Sequence, residues 1–364
     1  MKYYHSSLLF KLIKFILLNK NLLLSVIIPT LNRSNLLSLL LDSLAVQAPV
    51  SFAWEIIVVD NGSIDETREV VQKKSRQAPV LLRYVYEPKP GLHQGRHRGA
   101  REAAGEVMAF LDDDTVLLPG WISGLELMLS NQADAVVSRI LPKWEMQPPD
   151  WLTDLFSDGT FGLLTLLDLG NEPKQIDPLF VWGASFFIRR FLVFELGGFH
   201  PDGMPLELMR YRGDGETGFF QEFKKQGYTA WYDPRSVAYH TVSRKRMTLD
   251  YLCQRSYNQG ISDSYAQIRK AQDLNADQSS TTGGIHPKSS AYFKQRAREM
   301  SLTDWVRSLQ NRIRWVRRQL FPTQHEKILN QLQYAHNAGW RFHENAVQTD
   351  PELLAYVLKK SYLE

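Results

Sequence analysis

From Leu22 onward the chain repeats one pattern: an apolar run of strand length, a polar turn, then a stretch of helical spacing. Residues 23–28 are apolar but for Ser25 and lead into Pro29-Thr30-Leu31-Asn32-Arg33, after which Leu36, Leu37, Leu40, Leu41 and Leu44 recur at helical spacing. Residues 56–59 form the next run and end in Asp60-Asn61-Gly62-Ser63, with Asp65 close behind and a helix expected over 67–74. Residues 81–86 predict a third strand that enters the turn-rich Glu87-Pro88-Lys89-Pro90-Gly91. A basic helix over 94–104, with Arg96, Arg98 and Arg101, then leads to Val107-Met108-Ala109-Phe110-Leu111. Strands alternating with helices predict an α/β fold on a doubly wound sheet, and such sheets bind ligands beyond the carboxyl ends of their strands. Thr30 to Arg33, Asp60 to Ser63 and the acidic string Asp112-Asp113-Asp114 all fall at those ends.

The acidic string carries the chemistry. Extended residues alternate sides, so Asp112 and Asp114 are expected on one face and Asp113 on the other. Three adjacent carboxylates repel one another in a partly dry cleft unless a cation or several donors are supplied, and a divalent metal is the natural supplier. An acidic turn capping the next helix is the plainer reading. No Gly-x-Gly-x-x-Gly follows the first strand and no Gly-Lys-Ser/Thr loop occurs there. A metal-chelated nucleoside diphosphate therefore fits the edge better than a dinucleotide or a P-loop triphosphate.

Composition narrows the classes further. With 364 residues, 44% hydrophobic and 12% aromatic, the chain can bury a large core, which excludes a disordered or fibrous protein. The net charge of +4 is too mild for a dedicated nucleic-acid binder. The single cysteine, Cys253, excludes an intramolecular disulfide and a cysteine-based metal cage, and it fits a reducing, cytoplasmic compartment. Residues 8–18 are apolar but interrupted by Lys11 and Lys14. They are too short for a span of roughly 20 residues and are expected either as an interfacial helix on an anionic membrane or as a plain extension.

Further along, Leu118-Pro119-Gly120-Trp121 opens a helix, residues 133–140 predict a strand, and 142–152 read as irregular. Phe219, Phe220 and Phe223 share a helical face ended by Gly227, which puts Glu216 in the first turn, where the helix dipole favours an anion. Asp214 precedes it and suits an N-cap. His240 ends a strand expected over 231–239, followed by the basic Arg244-Lys245-Arg246.

Val26-Ile27-Ile28-Pro29-Thr30-Leu31-Asn32-Arg33, Ile57-Val58-Val59-Asp60-Asn61-Gly62-Ser63 and Phe110-Leu111-Asp112-Asp113-Asp114 resemble, in this order, the successive motifs of family 2 glycosyltransferases of GT-A fold. The resemblance covers about residues 22–260. It implies a Rossmann-like, doubly wound mixed sheet flanked by helices, with a helical C-terminal extension. It also implies transfer, with inversion, of a hexose-type sugar from a nucleotide-diphosphate sugar, a UDP-sugar above all, to a saccharide or lipid-linked saccharide. In the family the turns after the first two strands hold the base and ribose. That role carries over to Pro29, Thr30, Asn32 and Asp60, with Arg33, Asn61 and Asp113 beside them. Asp112 is implied on the nucleoside side and Asp114 on Mn²⁺ or Mg²⁺, with His240 a second metal ligand. Gly91 and Arg96 match a segment that usually reads Gly-x-x-x-Ala-Arg-Asn, although Gly95 and His97 replace its alanine and asparagine. Trp182 and Gly183 match the strand bordering the acceptor, where a glycine lets a sugar approach the backbone. Relatives commonly carry Gly-Glu-Asp near 216, and alignment back from Lys225-Gln226-Gly227-Tyr228 places Glu216 on their base, with Asp214 as the fallback.

Two rival readings accompany this one. Asp112-Asp113-Asp114-Thr115-Val116-Leu117 also fits the Asp-x-Asp-x-Thr/Val pattern of haloacid-dehalogenase-like phosphatases, in which Asp112 would be the nucleophile. A non-catalytic nucleotide-sugar-binding protein is the other. The expected layout is an N-terminal amphipathic extension over 1–21, a catalytic domain over 22–260, a linker over 261–290 and a helical region over 291–364. Within that last region Val306, Leu309, Ile313, Val316 and Leu320 form the apolar stripe of a basic helix suited to the catalytic domain or to peripheral association with the inner membrane face.

Overall fold

A computed structural model of the chain describes residues 22–47, 49–156, 160–278 and 323–363. The amphipathic extension over 1–21 and the basic helix expected around 306–320 lie outside the described residues. Eight principal strands build one sheet: β1 (Leu22–Thr30), β2 (Ala53–Asp60), β3 (Leu81–Tyr86), β4 (Val107–Leu111), β5 (Thr115–Leu117), β6 (Ala135–Trp144), β7 (Ser185–Arg189) and β8 (Ala230–Val242). Their spatial order is β3-β2-β1-β4-β7-β6-β8-β5, and short strands at Thr160–Phe161, Leu166–Leu167 and Lys174–Ile176 complete it. The first four are parallel neighbours, whereas β7 runs antiparallel between β4 and β6. The sheet is thus mixed, and the chain reverses direction of winding between β1 and β4, where an open sheet leaves its ligand crevice.

Alternation along β1 and β4 divides the core. Leu24, Val26 and Ile28 join Val107, Ala109 and Leu111 on one face, under α1 (Ser34–Ala45) and α2 (Thr67–Ser75). Ile27, Met108 and Phe110 face the other way, toward α3 (Leu92–Glu102) and α4 (Glu216–Lys225), which contributes Phe219, Phe220 and Phe223. Helix α3 lies very close to β1, because a Cβ on Gly95 would come within 3.0 Å of Pro29 and one on Gly99 within 2.2 Å of Ile27. An alanine at Gly95 would therefore press on Pro29, which would have to yield by a few tenths of an ångström.

Two readings change in detail. Strand β6 continues through Trp144, so residues 142–144 are extended rather than irregular. Helix α5 (Leu249–Gln278) runs straight through the boundary placed at 260, so residues 261–278 are helix rather than linker. It is held there by α6 (Gln324–Thr349), with Gly260 and Gly339 at the crossing, and α7 (Pro351–Val357) follows. The chain's end returns to the sheet domain: the Tyr362 amide donates to the Gly197 carbonyl and Arg101 to the Leu363 carbonyl. Among the described residues no helix is long and apolar enough to cross a membrane.

Candidate active site

Three loops leave the parallel strands at one edge and are stapled to one another. Asn32 adopts a left-handed φ of 53°; its amide donates to Ser63 and its side-chain oxygen accepts from the Ile64 amide. Asn61 donates to the carbonyls of Glu87 and Lys89 and accepts from the Gly91 amide. Asp60 is buried, and its two oxygens accept from the Ser63 amide and the Tyr84 hydroxyl, both at 2.7 Å. Asn32, Asp60 and Gly91 therefore shape the rim. Asn61, Pro29, Thr30 and Arg33 line the cleft itself, which has a volume of about 320 Å³, within the roughly 300–1,000 Å³ usual for small-ligand sites.

The three aspartates do not simply alternate. The chain turns after Leu111, where the Thr115 amide and hydroxyl both bond back to the Asp112 carbonyl, and the turn brings all three carboxylates onto the cleft. Asp113 accepts from Thr30 at 2.7 Å and from Arg33 at 2.8 Å, joining the ends of β1 and β4 across the crevice. Asp114 pairs with Arg33 at 3.1 Å and Arg246 at 2.7 Å. Register delivers His240: β8 pairs with β5 so that His240 stands opposite Thr115, and Thr241 donates to the Asp114 carbonyl.

His240 is oriented by its own hydrogen bonds. Nδ1 lies 2.8 Å from the Leu164 carbonyl, which fixes the proton there and leaves Nε2 as an acceptor, filled by Arg246 at 2.8 Å. That lone-pair nitrogen stands 3.1 Å from Asp114 Oδ1, a buried oxygen with no hydrogen-bond partner. The Arg246 guanidinium meets both residues, donating to Nε2 and to Asp114 Oδ2, and leaves Asp114 Oδ1 as the one oxygen still open to a cation. Ligand atoms of Asp112, Asp114 and His240 all lie within 4.8 Å of one another, a donor set suited to Mn²⁺ or Mg²⁺. Burial pushes the Asp112 carboxyl up to about 6, against the pull of Arg96. Burial likewise raises Asp113. At Asp114 burial also acts upward, but the guanidiniums of Arg246 and Arg33 help to outweigh it and the carboxyl is held below the usual range.

Glu216 opens α4 behind Gly215, whose φ of 58° suits glycine. Its Oε1 accepts the Gly183 amide at 3.0 Å and its Oε2 pairs with Arg96 at 3.0 Å. Arg96 is 2% exposed, reaches Asp112 at 3.4 Å, and lies over the Phe199 ring. One guanidinium thus links the acidic turn to the first turn of α4. The room above Gly183, expected to admit a sugar, is filled by these side chains: a Cβ there would come within 2.2 Å of Arg96 and 2.9 Å of Glu216. Trp182 packs beside Phe180 and the core and is not among the residues lining the cleft. Asp214 is not among them either; its side chain is 5% exposed and bonds to His200 at 2.6 Å. His97 accepts the Phe199 amide, and burial lowers it to about 3, leaving a neutral structural residue.

Sequence reasoning missed Asp202, Arg212, Tyr251 and Arg255, which also line the cleft. Arg212 pairs with Asp202 at 2.6 Å. The tyrosine and second arginine sit four residues apart at the start of a helix, a spacing that puts both on one face and was the signal available.

Residues 25–197 match the family model described as "Glycosyl transferase family 2". The chain is 36% identical over 117 residues to validoxylamine A glucosyltransferase of Streptomyces hygroscopicus subsp. jinggangensis, covering 32% of this chain and 27% of that relative. It is 38% identical over 103 residues to the GalNAc(5)-diNAcBac-PP-undecaprenol beta-1,3-glucosyltransferase of Campylobacter jejuni, covering 28% of this chain and 33% of that protein. The chain thus spans about a quarter to a third of these relatives' lengths. A solved mannosyltransferase from Pyrobaculum calidifontis, in complex with GDP-Man and Mn²⁺, superposes with a TM-score of 0.53 at 17% identity, covering 88% of this chain and 86% of that one. That likeness fixes the fold as GT-A.

Proposed function

The chain belongs to glycosyltransferase family 2, and from that premise we propose that it is an inverting, metal-dependent hexosyltransferase that moves a sugar from a UDP-sugar to a saccharide or lipid-linked saccharide in cell-surface polysaccharide assembly. The observation that carries the reading is the unpartnered Asp114 Oδ1 facing the acceptor nitrogen of His240, with Glu216 joined to the same turn through Arg96. A divalent cation held by Asp112, Asp114 and His240 would supply positive charge for the donor's diphosphate. Thr30 and Asn61 at the nucleoside end would hold the base and ribose, and Arg33 and Arg246 would neutralise charge developing on the departing diphosphate. Glu216 would take the proton from the acceptor hydroxyl as that oxygen bonds to the anomeric carbon and the nucleoside diphosphate leaves with its electron pair. Both Glu216 oxygens already accept one hydrogen bond, which orients the carboxylate and leaves lone pairs for the incoming proton.

An acceptor anchored to lipid, as the name of the C. jejuni relative specifies for that protein, suits a cytoplasmic protein working at the inner membrane face. The phosphatase reading falls with the fold and family, because Asp112 follows the fourth strand of a GT-A sheet. A merely binding protein is separated from an enzyme by Mn²⁺-dependent hydrolysis or transfer from UDP-sugars. Glu216→Gln is expected to keep UDP and Mn²⁺ affinity while lowering turnover about 10²- to 10⁴-fold; turnover within tenfold of wild type would remove Glu216 from the role.

A further inference from the structure

Five arginines line the cleft, and four of them are ion-paired. Arg33 pairs with Asp113 and Asp114, Arg96 with Asp112 and Glu216, Arg212 with Asp202, and Arg246 with Asp114. Arg255 is the fifth. Its Nε donates to the Leu163 carbonyl at 3.2 Å, and among the described residues its terminal nitrogens have neither a carboxylate nor another hydrogen-bond acceptor. The stem is therefore held while the outer fork of the guanidinium stays open to the cleft. A guanidinium keeps its charge at any physiological pH, and its planar donors match a phosphate or carboxylate edge. Tyr251, one helical turn earlier on α5, lines the same cleft, and its hydroxyl has no protein partner among the described residues.

The position along the cleft identifies which anion. Thr30 and Asn61 mark the end where strands β1 and β2 stop, and Arg33 and Arg246 already attend the acidic turn. Asp202 feels Arg255 together with Arg212 and Arg96, and Arg96 in turn holds Glu216. Its anchoring loop is tied down as well. The Leu164 carbonyl accepts from His240, and Thr165, a β-branched residue, is held at a left-handed φ of 56°, a conformation that persists only where surrounding contacts impose it. The loop thus sets Arg255 at a fixed place relative to the metal-ligand candidate and the base candidate.

We propose that Arg255, with Tyr251 beside it, forms an oxyanion-recognising subsite on the acceptor side of the cleft, so that the acceptor carries a phosphate or carboxylate close to the hydroxyl that is glycosylated. The inference rests on the transferase reading above. It concerns residues beyond the 25–197 stretch that the family model covers.

The test titrates full-length protein, with and without saturating UDP and Mn²⁺, with glucose, glucose 6-phosphate and glucuronic acid. Wild type is expected to bind one or both anionic sugars ~10- to 100-fold more tightly than glucose, the gain of a charge-assisted fork. The phosphate and carboxylate arms then separate the two anion sources. Arg255→Ala should erase the preference while leaving UDP affinity unchanged, and Arg255→Lys, which keeps the charge but not the fork, should fall between. Tyr251→Phe, which removes only a hydroxyl, should weaken anion binding severalfold without altering the melting temperature. Equal binding of all three sugars by wild type would overturn the proposal. So would a loss of UDP affinity in Arg255→Ala, which would assign the guanidinium to the donor. Should wild type bind no UDP, the donor reading falls, and the titrations without nucleotide still decide Arg255.

Discussion

Gly183→Ala tests whether the link between the acidic turn and α4 is what holds the proposed base. The added Cβ would stand 2.2 Å from Arg96 Nη2 and 2.9 Å from Glu216 Oε1, against roughly 3.5–4.0 Å for comfortable contact between heavy atoms. A guanidinium at the end of a flexible side chain would ordinarily step aside. Here it is 2% exposed and holds Glu216 at 3.0 Å and Asp112 at 3.4 Å, so a displacement of more than about 1 Å must loosen both pairs. Misplacement of a reacting group by that distance costs on the order of 10²-fold in rate, and overpacking costs about 1–3 kcal/mol in stability. The nucleoside end at Thr30 and Asn61 is untouched, so UDP binding should survive. The assay is Mn²⁺-dependent turnover of the donor alongside calorimetry with UDP. A variant that keeps its melting temperature and turns over within threefold of wild type would refute the idea that Arg96 positions Glu216 through a space only glycine leaves open.

Two further outcomes follow from the geometry. Because Asp112 sits near 6 through burial and a metal must displace its proton, Mn²⁺ affinity is expected to be flat above that pH and to fall about tenfold per unit below it; calorimetry showing no change between pH 5 and 7 would remove Asp112 from the ligand set. Gly260→Ala would set a Cβ 1.9 Å from the His336 carbonyl oxygen, a backbone atom of α6, and is expected to destabilise the protein by about 1–3 kcal/mol or more, read as a lowered melting temperature.

What the sequence made legible was whatever depends on local periodicity. Apolar runs of the right length marked β1 to β4, and Phe219, Phe220, Phe223 and Gly227 framed α4 well enough to put Glu216 in its first turn. The edge of the sheet followed from strand order alone, because parallel strands send their carboxyl ends the same way. Roles that depend on residues meeting across the fold were not legible. Asp60 reads as a free acceptor until Tyr84 and the Ser63 amide are seen to occupy it. Gly183 reads as an open approach until Arg96, 87 positions earlier, is found in the space. The layout placed a linker over 261–290, but Gly260 and Gly339 let two helices approach to backbone contact, and residues 261–278 continue the helix.

The same packing changes where the functional unit ends. A catalytic domain closing at 260 would cut α5 just past Tyr251 and Arg255 and strip it of α6. The C-terminal contacts run the other way too: Tyr362 bonds to Gly197 and meets His200 edge to face, and the His200 ring holds Asp214 two residues before Glu216. Ser262, beyond the expected boundary, donates to the Gly213 carbonyl in that same approach to α4. The turn presenting the proposed base is therefore braced from below by helices that a motif-based boundary would discard. Helix α5, which that boundary would cut, also carries the cleft's open arginine, so the proposed support for the base and the proposed selectivity for the acceptor share one C-terminal element.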